Sequence, residues 1–382
     1  MAASDRLQRL HDAGVSIWLD FIEREMLRNG DLRRRIQEES LTGMTSNPTI
    51  FEKALAEGGA YDDQIRTAPG DFTAVELFEL VATTDVRDAC DMFRKTYEKE
   101  NGTDGFVSIE VSPSTAHDLL GTISEAQRLW STVDRANVMI KVPGTEEGAE
   151  ATRRLIASGV NVNITLLFSL DAYRRVIEAY MAGLEERVAA GKDIKSIASV
   201  ASFFVSRVDT EVDKRLDALS KNATGDQRQQ IDALRGKAAI ANAKLAYRIF
   251  QKEFSSPRWK KLEAKGANVQ RVLWASTSTK NPAYRDVMYV EDLIGPHTVN
   301  TMPPQTVDAF ADHGIVNRTV DKNVDAAERV IADLGKLGIS IDDVTNKLLV
   351  DGLASFQKSY DALIAGLAKK TKALGRDLVA SR

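Results

Sequence analysis

Hydrophobic positions along the chain gather into eight compact runs, most of them separated by longer stretches in which apolar and charged residues recur at helical spacing. The runs are Val15–Asp20, Thr42–Asn47, Gly105–Val111, Asn137–Val142, Asn161–Phe168, Ile197–Val205, Val269–Ser276 and His297–Met302. Each is short, rich in β-branched or aromatic residues, and most are bounded by Gly, Pro or Ser, which reads as a strand buried on both faces. Between them the spacing predicts helices over residues 1–14, Phe21–Arg28, Leu32–Glu39, Ile50–Ala56, Thr73–Lys99, Thr122–Ala136, Glu146–Ser158 and Leu170–Ala190. Gly159 is placed to cap one of them. Residues 209–268 form a long, highly charged helical excursion with a break near Asn222–Gly225. Beyond Pro303-Pro304 the pattern is helical to the C-terminus, punctuated by Gly338, Gly352 and Gly366, and the charged tail after Lys369 is a helix end, a frayed terminus or a cover over the barrel mouth.

Strands alternating with helices argue for parallel βαβ units, and eight of them argue for a closed (β/α)8 barrel of the TIM type. The chain is therefore expected to be one α/β domain over residues 1–382, with the helical excursion about 209–268 inserted after the sixth strand. A doubly wound open sheet is the alternative. No Gly-x-Gly-x-x-Gly follows the first strand, which weakens a dinucleotide reading.

The polar residues that interrupt this pattern sit at strand ends, the face where barrels of this kind carry their active sites. Asp20, Asn47, Glu110, Lys141, Thr165 and Ser202 lie at or near the ends of the first six strands, with Arg207 just past the sixth and Lys280 past the seventh. Any one of them has an ordinary explanation, since Asp and Asn after strands are common turn formers and helix caps. Together they fit one chemistry. A lysine at the end of a buried strand is either a snorkelling side chain or a working amine, and desolvation lowers the pKa of a working amine until it can attack a ketone. Glu110 and Asp20 can move protons, Asn47 can hold a substrate hydroxyl, and Thr165 can orient a water or an acid. Arg207 and Lys280 fall where this fold often binds phosphate, arginine as a fork and lysine as a point charge. A sugar phosphate is the implied substrate.

Composition narrows the setting. Lys+Arg 51 against Asp+Glu 55 gives a net charge of -4, so neither nucleic acid nor a membrane is expected as a partner. No apolar stretch is long enough for a membrane span, and the N-terminus lacks the apolar core of a signal peptide. The single cysteine, Cys90, excludes a disulfide framework and is expected in the core of a cytoplasmic protein. His11, His117, His297 and His313 have no paired spacing, so no metal site is expected. Trp18 and Trp274 read as barrel packing rather than sugar-stacking platforms.

At this level the chain resembles the transaldolases. The stretches that carry the resemblance are Thr45-Ser-Asn-Pro48, Val107-Ser-Ile-Glu110, Val138-Met-Ile-Lys-Val142, Gly159-Val-Asn-Val-Asn-Ile-Thr-Leu-Leu-Phe-Ser169 and Ser202-Phe-Phe-Val-Ser-Arg207, in the family's order. The length of the 209–268 excursion is similar to that of the long, bacterial-type members. The resemblance implies a (β/α)8 barrel that moves a dihydroxyacetone unit between sugar phosphates of the pentose phosphate pathway. It implies Lys141 as the Schiff-base lysine and Asp20 as the proton carrier in carbon–carbon cleavage. Glu110 and Thr165 would hold the catalytic water, Asn47 and Ser202 the hydroxyls of the dihydroxyacetone unit, and Arg207 the phosphate. Many members have a second phosphate-binding arginine after the seventh strand. This chain has Ser276-Thr-Ser-Thr-Lys280 there, so Lys280 takes that place by alignment alone. No cofactor is implied, because the lysine itself supplies the electron sink, and the resemblance leaves monomer and homodimer open. Two other readings share the strand-end residues: a simple aldolase, in which water quenches the enamine, and a silent barrel that only binds sugar phosphates.

Overall fold

The computed structural model describes residues 3–56 and 58–379. In chain order, α1 (Ala3–Asp12) leads into β1 (Val15–Asp20), and α2 (Arg24–Asn29) and α3 (Asp31–Glu38) lead into β2 (Leu41–Thr45). Next come α4 (Pro48–Ala56), α5 (Asp62–Thr67) and α6 (Ala74–Lys99), then β3 (Val107–Glu110). A short 3-10 turn (Pro113–Thr115) and α7 (Leu119–Val133) precede β4 (Val138–Pro143). Then α8 (Glu146–Ser158), β5 (Val162–Leu167), α9 (Leu170–Ala189) and β6 (Ser199–Phe204) alternate. The helices α10 (Ser206–Ser220), α11 (Gly225–Leu234), α12 (Ala238–Glu253) and α13 (Pro257–Glu263) intervene before β7 (Arg271–Ala275). The chain continues with α14 (Met288–Glu291), β8 (Thr298–Met302), α15 (Pro304–His313), α16 (Val324–Lys336) and α17 (Ile341–Ala373).

The eight strands form a closed barrel in sequence order, with β8 pairing back to β1, and every pairing is parallel. Strands β2, β4, β5, β6 and β8 are buried at every position, which is why they read as continuous apolar runs rather than alternating ones. Trp18 and Trp274 are both wholly buried, as packing residues should be, and Cys90 is buried too. The barrel alternatives resolve against the open sheet because β1 and β8 pair along five residues of each strand.

Several expected boundaries move. The predicted helix over residues 1–14 is α1, and its first two positions lie outside the described residues. The Phe21–Arg28 helix starts only at Arg24. Asn47 does not close β2, which ends at Thr45; it stands in the connection to α4. The excursion begins at Ser206, and the expected break falls between α10 and α11. Gly338 does end a helical stretch, adopting φ 80 between α16 and α17. Gly352 and Gly366 do not punctuate anything, since both lie inside the single 33-residue helix α17. Gly352 has a packing reason: a Cβ there would stand 3.0 Å from Leu166 Cδ2, so a bare backbone lets α17 cross close over β5. The charged tail after Lys369 continues α17 as far as Ala373, and residues 380–382 lie outside the described set.

The helices of the excursion are largely packed. α10 buries Val208, Val212 and Leu216, and α12 buries Ala239, Ala243, Ala246, Tyr247 and Phe250. Among the described residues no helix is long and apolar enough to cross a membrane.

Candidate active site

Strand register brings the expected residues together. Glu110 at the end of β3 pairs with Lys141 on β4, and Lys141 in turn pairs with Asn163 on β5. The Lys141 side chain is only 6% exposed and that of Glu110 4%. Lys141 Nζ lies 3.1 Å from Glu110 Oε2 and donates to the backbone carbonyl of Ser46 at 2.8 Å. A buried ammonium held by one carboxylate and one carbonyl is fixed in direction, as a nucleophile must be. Burial is the main influence on Glu110 and raises its pKa, with Lys141 opposing and Asp20 adding to the rise. A carboxyl with raised proton affinity next to an amine can take up the proton the amine must lose before it attacks.

On the other side, Asp20 at the end of β1 pairs with Thr45 of β2. Thr45 Oγ1 donates to Asp20 Oδ1 at 2.8 Å and shares a 2.6 Å contact with Thr301 Oγ1 of β8. Asp20 also has a raised pKa, first through burial, while Lys141, the Thr45 hydroxyl, Arg207 and Lys280 pull it down. Two carboxyls near one lysine, both held above their ordinary values, are groups that can exchange protons with its amine.

Thr165 on β5 is fully buried, and its hydroxyl has no hydrogen-bond partner among the described residues. Next to it Leu166 adopts φ 59, and the β5–β6 ladder shifts register between Ile164 and Leu167. Such a bulge re-aims side chains at a barrel rim and costs backbone strain, which marks a site rather than a plain strand. Ser202 on β6 donates to Asn163 Oδ1 at 2.7 Å, and Asn163 Nδ2 donates to Ser108 Oγ at 3.0 Å. This chain of polar groups crosses β6, β5 and β3 beneath the lysine.

A cavity of about 440 Å³ opens at this end of the barrel. Its wall includes Asp20, Asn47, Lys141, Thr165, Ser202, Arg207 and Lys280, so seven of the eight expected residues face one space. Glu110 is the exception and stands behind Lys141, off the cavity wall. Asn47 uses Oδ1 to accept the backbone N–H of Ile50 at 3.0 Å, which fixes its amide as it caps α4. Arg207 and Lys280 lie on the same side: the guanidinium stacks 5.3 Å from the Phe204 ring, and Lys280 Nζ donates to Ser278 Oγ at 2.7 Å. Burial lowers the pKa of both cations, with Asp20 opposing.

The cavity also holds residues that the strand-end pattern missed. Thr45 lines it, while Asn163 stands off its wall, bonded to Ser202; both lie inside the matching stretches and could have been found there by their register. Lys53 on α4 adds a third cation, and its charge helps to lower the pKa of Lys280. Phe356 reaches the cavity from α17, whose Ser359 hydroxyl also accepts from Thr49 at 2.8 Å. No local signal marks Thr301 or Phe356, because they meet the site only through closure of the barrel and the return of the last helix.

Nearly the whole chain is similar to known proteins. The family described as "Transaldolase/Fructose-6-phosphate aldolase" matches residues 17–367. The chain is 47% identical to a protein named Transaldolase from Trichodesmium erythraeum, over 97% of this chain and 99% of that one. It is 49% identical to a Transaldolase from Thermobifida fusca, over 96% and 98% of the two chains. A Transaldolase from Parafrankia sp. is 48% identical over 94% and 96%.

Proposed function

The chain belongs to the transaldolase/fructose-6-phosphate aldolase family, and we propose that its barrel, working as one catalytic unit, transfers a dihydroxyacetone unit from a ketose phosphate to an aldose phosphate through an imine on Lys141. The observation that carries this reading is the placement of one buried, oriented lysine near two carboxyls with raised proton affinity, at the floor of a cavity that has cations on one wall.

In this reading Lys141 Nζ, its proton passed to a neighbouring carboxyl, adds to the C2 carbonyl of fructose 6-phosphate or sedoheptulose 7-phosphate, and loss of water gives the protonated imine. Asp20 takes the proton of the C4 hydroxyl. The C3–C4 electron pair then moves into the imine, releasing the aldose phosphate and leaving an enamine on Lys141. The enamine carbon attacks the aldehyde of glyceraldehyde 3-phosphate or erythrose 4-phosphate, Asp20 returns its proton to the new hydroxyl, and water frees the product ketose. Glu110 and Thr165 hold the water that adds and leaves; the unpaired Thr165 hydroxyl is available for it. Asn47 and Ser202 bind hydroxyls of the three-carbon unit, while Arg207 and Lys280 bind the phosphate. This chemistry belongs to the non-oxidative pentose phosphate pathway, and a cytoplasmic setting accords with the lone buried thiol of Cys90.

The test is borohydride reduction in the presence of fructose 6-phosphate, followed by mass mapping. A three-carbon adduct on Lys141 is expected; an adduct on another lysine, or none in folded protein, overturns the assignment. Because the family description joins transfer with aldol cleavage, products are to be compared with and without an acceptor aldehyde. Free dihydroxyacetone formed equally in both cases would make the enzyme an aldolase.

A further inference from the structure

The segment between β7 and α14 carries Lys280 and has no regular structure of its own. Part of its shape is internal. Thr279 Oγ1 donates to the carbonyls of Arg285 and Asp286 at 3.1 and 3.0 Å, and Asn281 Oδ1 accepts from Ala283 N at 2.9 Å. Its position relative to Arg207 is set from outside. Tyr284 OH donates to Asp213 Oδ2 at 2.6 Å, and Asp213 Oδ1 accepts from the backbone N–H of Gly236 at 3.1 Å. One turn earlier on α10, Asp209 repeats the arrangement: Tyr289 OH donates to Oδ2 at 2.8 Å and Ala239 N to Oδ1 at 2.8 Å.

Asp209 and Asp213 share one face of the helix because they are four residues apart. That helix opens with Ser206 and Arg207, so the two carboxylates join three parts: the helix bearing Arg207, the loop bearing Lys280, and the start of α12 in the excursion. The space between the loop and α10 is not filled by apolar side chains. It is a cleft of about 500 Å³ lined by Asp209, Asp213, Lys280, Tyr284 and Tyr289 among others, and the two hydroxyl–carboxylate bonds span it; nearer β7 the segment is also tied to the start of α10, where Ser206 N–H donates to the Ser276 carbonyl at 3.0 Å. Gly236 takes φ +65, and a Cβ there would stand 2.7 Å from Tyr284 Cζ; only glycine lets the excursion approach the ring this closely.

We propose that Asp213 and Tyr284 are positioning residues for the substrate phosphate: their hydrogen bond holds the Lys280 loop at the distance from Arg207 that one phosphate can bridge. Tyr289 and Asp209 are the second tie, and the excursion takes part by supplying the amides of Gly236 and Ala239 that hold the two carboxylates. The proposal rests on the assignment of Arg207 and Lys280 as phosphate ligands. Without the tie the loop samples positions in which Lys280 misses the phosphate, and binding has to supply the ordering.

Tyr284→Phe keeps the ring and removes the bond. With saturating donor, the KM for glyceraldehyde 3-phosphate is expected to rise roughly three- to tenfold, the scale of one ordinary net hydrogen bond. kcat should change by less than about twofold and the KM for unphosphorylated glyceraldehyde should hold, since the bond acts only on phosphate binding. In a Lys280→Ala background the same substitution should add nothing. Gly236→Ala, which displaces the ring, should reproduce the selective rise. A purely structural role would lower kcat for both acceptors in proportion to lost folded enzyme and leave both KM values alone, and that result overturns the proposal. If Lys280→Ala raises the phosphorylated KM and Tyr284→Phe does not, the positioning role falls while the phosphate site stands. If Lys280→Ala has no effect, the phosphate assignment of Lys280 falls and the proposal with it.

Discussion

Thr45→Val removes one hydroxyl from the site and keeps shape, strand propensity and burial. Thr45 is 2% exposed, and its hydrogen can go to only one acceptor; the 2.8 Å contact to Asp20 Oδ1 and the 2.6 Å contact to Thr301 Oγ1 fit a chain in which Thr301 donates to Thr45 and Thr45 to the carboxylate. A hydrogen bond to an ionised group is worth about 1.5–3 kcal/mol. At 1.36 kcal/mol per pKa unit, losing it raises the pKa of Asp20 by about one to two units. Because cleavage needs Asp20 ionised, the acid limb of the pH profile of kcat/KM should move up by that amount. Activity near the original limb should fall roughly tenfold or more and recover at higher pH. Stability supplies a second readout. Asp20 already titrates above 3.8 in the folded state, mainly through burial. Its favourable contribution is therefore present below the unfolded value and is lost as pH rises through the folded one. The variant should be less stable than the parent at pH 8, and the difference should close in acid, as followed by urea midpoints. A uniform loss of activity at all pH values, with the limb unmoved, would refute the link between Thr45 and the proton carrier.

Four further outcomes are open to direct measurement. Lys141→Ala should abolish transfer and borohydride trapping while leaving circular dichroism unchanged, and residual turnover of more than about one part in a thousand would contradict covalent catalysis by this residue. Arg207→Ala should raise the KM for phosphorylated substrates more than Lys280→Ala does, since a guanidinium can grip phosphate with two bonds, and Lys280→Arg should lower it; steady-state kinetics decide. Asp209, whose pKa burial pushes up to about 7, stabilises the fold below its unfolded value near 3.8 and loses that contribution as pH rises through 7. Asp209→Asn should therefore gain stability relative to the parent at pH 8 and not at pH 5, by roughly 1–3 kcal/mol in chemical denaturation if the amide keeps one of the two donors. Gly43→Ala places a Cβ 2.5 Å from Trp18 Nε1 inside the barrel wall, and the melting temperature should drop with a loss of about 1–3 kcal/mol from overpacking.

Phe356 gives α17 a place in the cavity wall, and Gly352, one turn earlier on the same helix, lets its backbone cross close to Leu166.

Much of this molecule could be read from its residues in order. The eight strands are legible because a parallel barrel buries both faces of each, so every strand becomes an apolar run, and the polar residues tolerated at its end stand out against it. Lys141, Glu110, Asp20 and Thr165 were visible for that reason, and so was the excursion after the sixth strand. Other features are not local and have no local signature. The hydroxyl chain from Thr301 to Thr45 to Asp20 exists only because β8 closes on β1. Gly352 looked like a helix break because glycine usually is one, whereas here packing against β5 outweighs a propensity cost of about 1 kcal/mol. The Leu166 backbone, the return of Phe356, and the Tyr284–Asp213 tie join segments tens to hundreds of residues apart. Sequence periodicity fixes which face of an element is buried; which distant side chain meets it is decided only when the barrel closes and its outer helices settle on it.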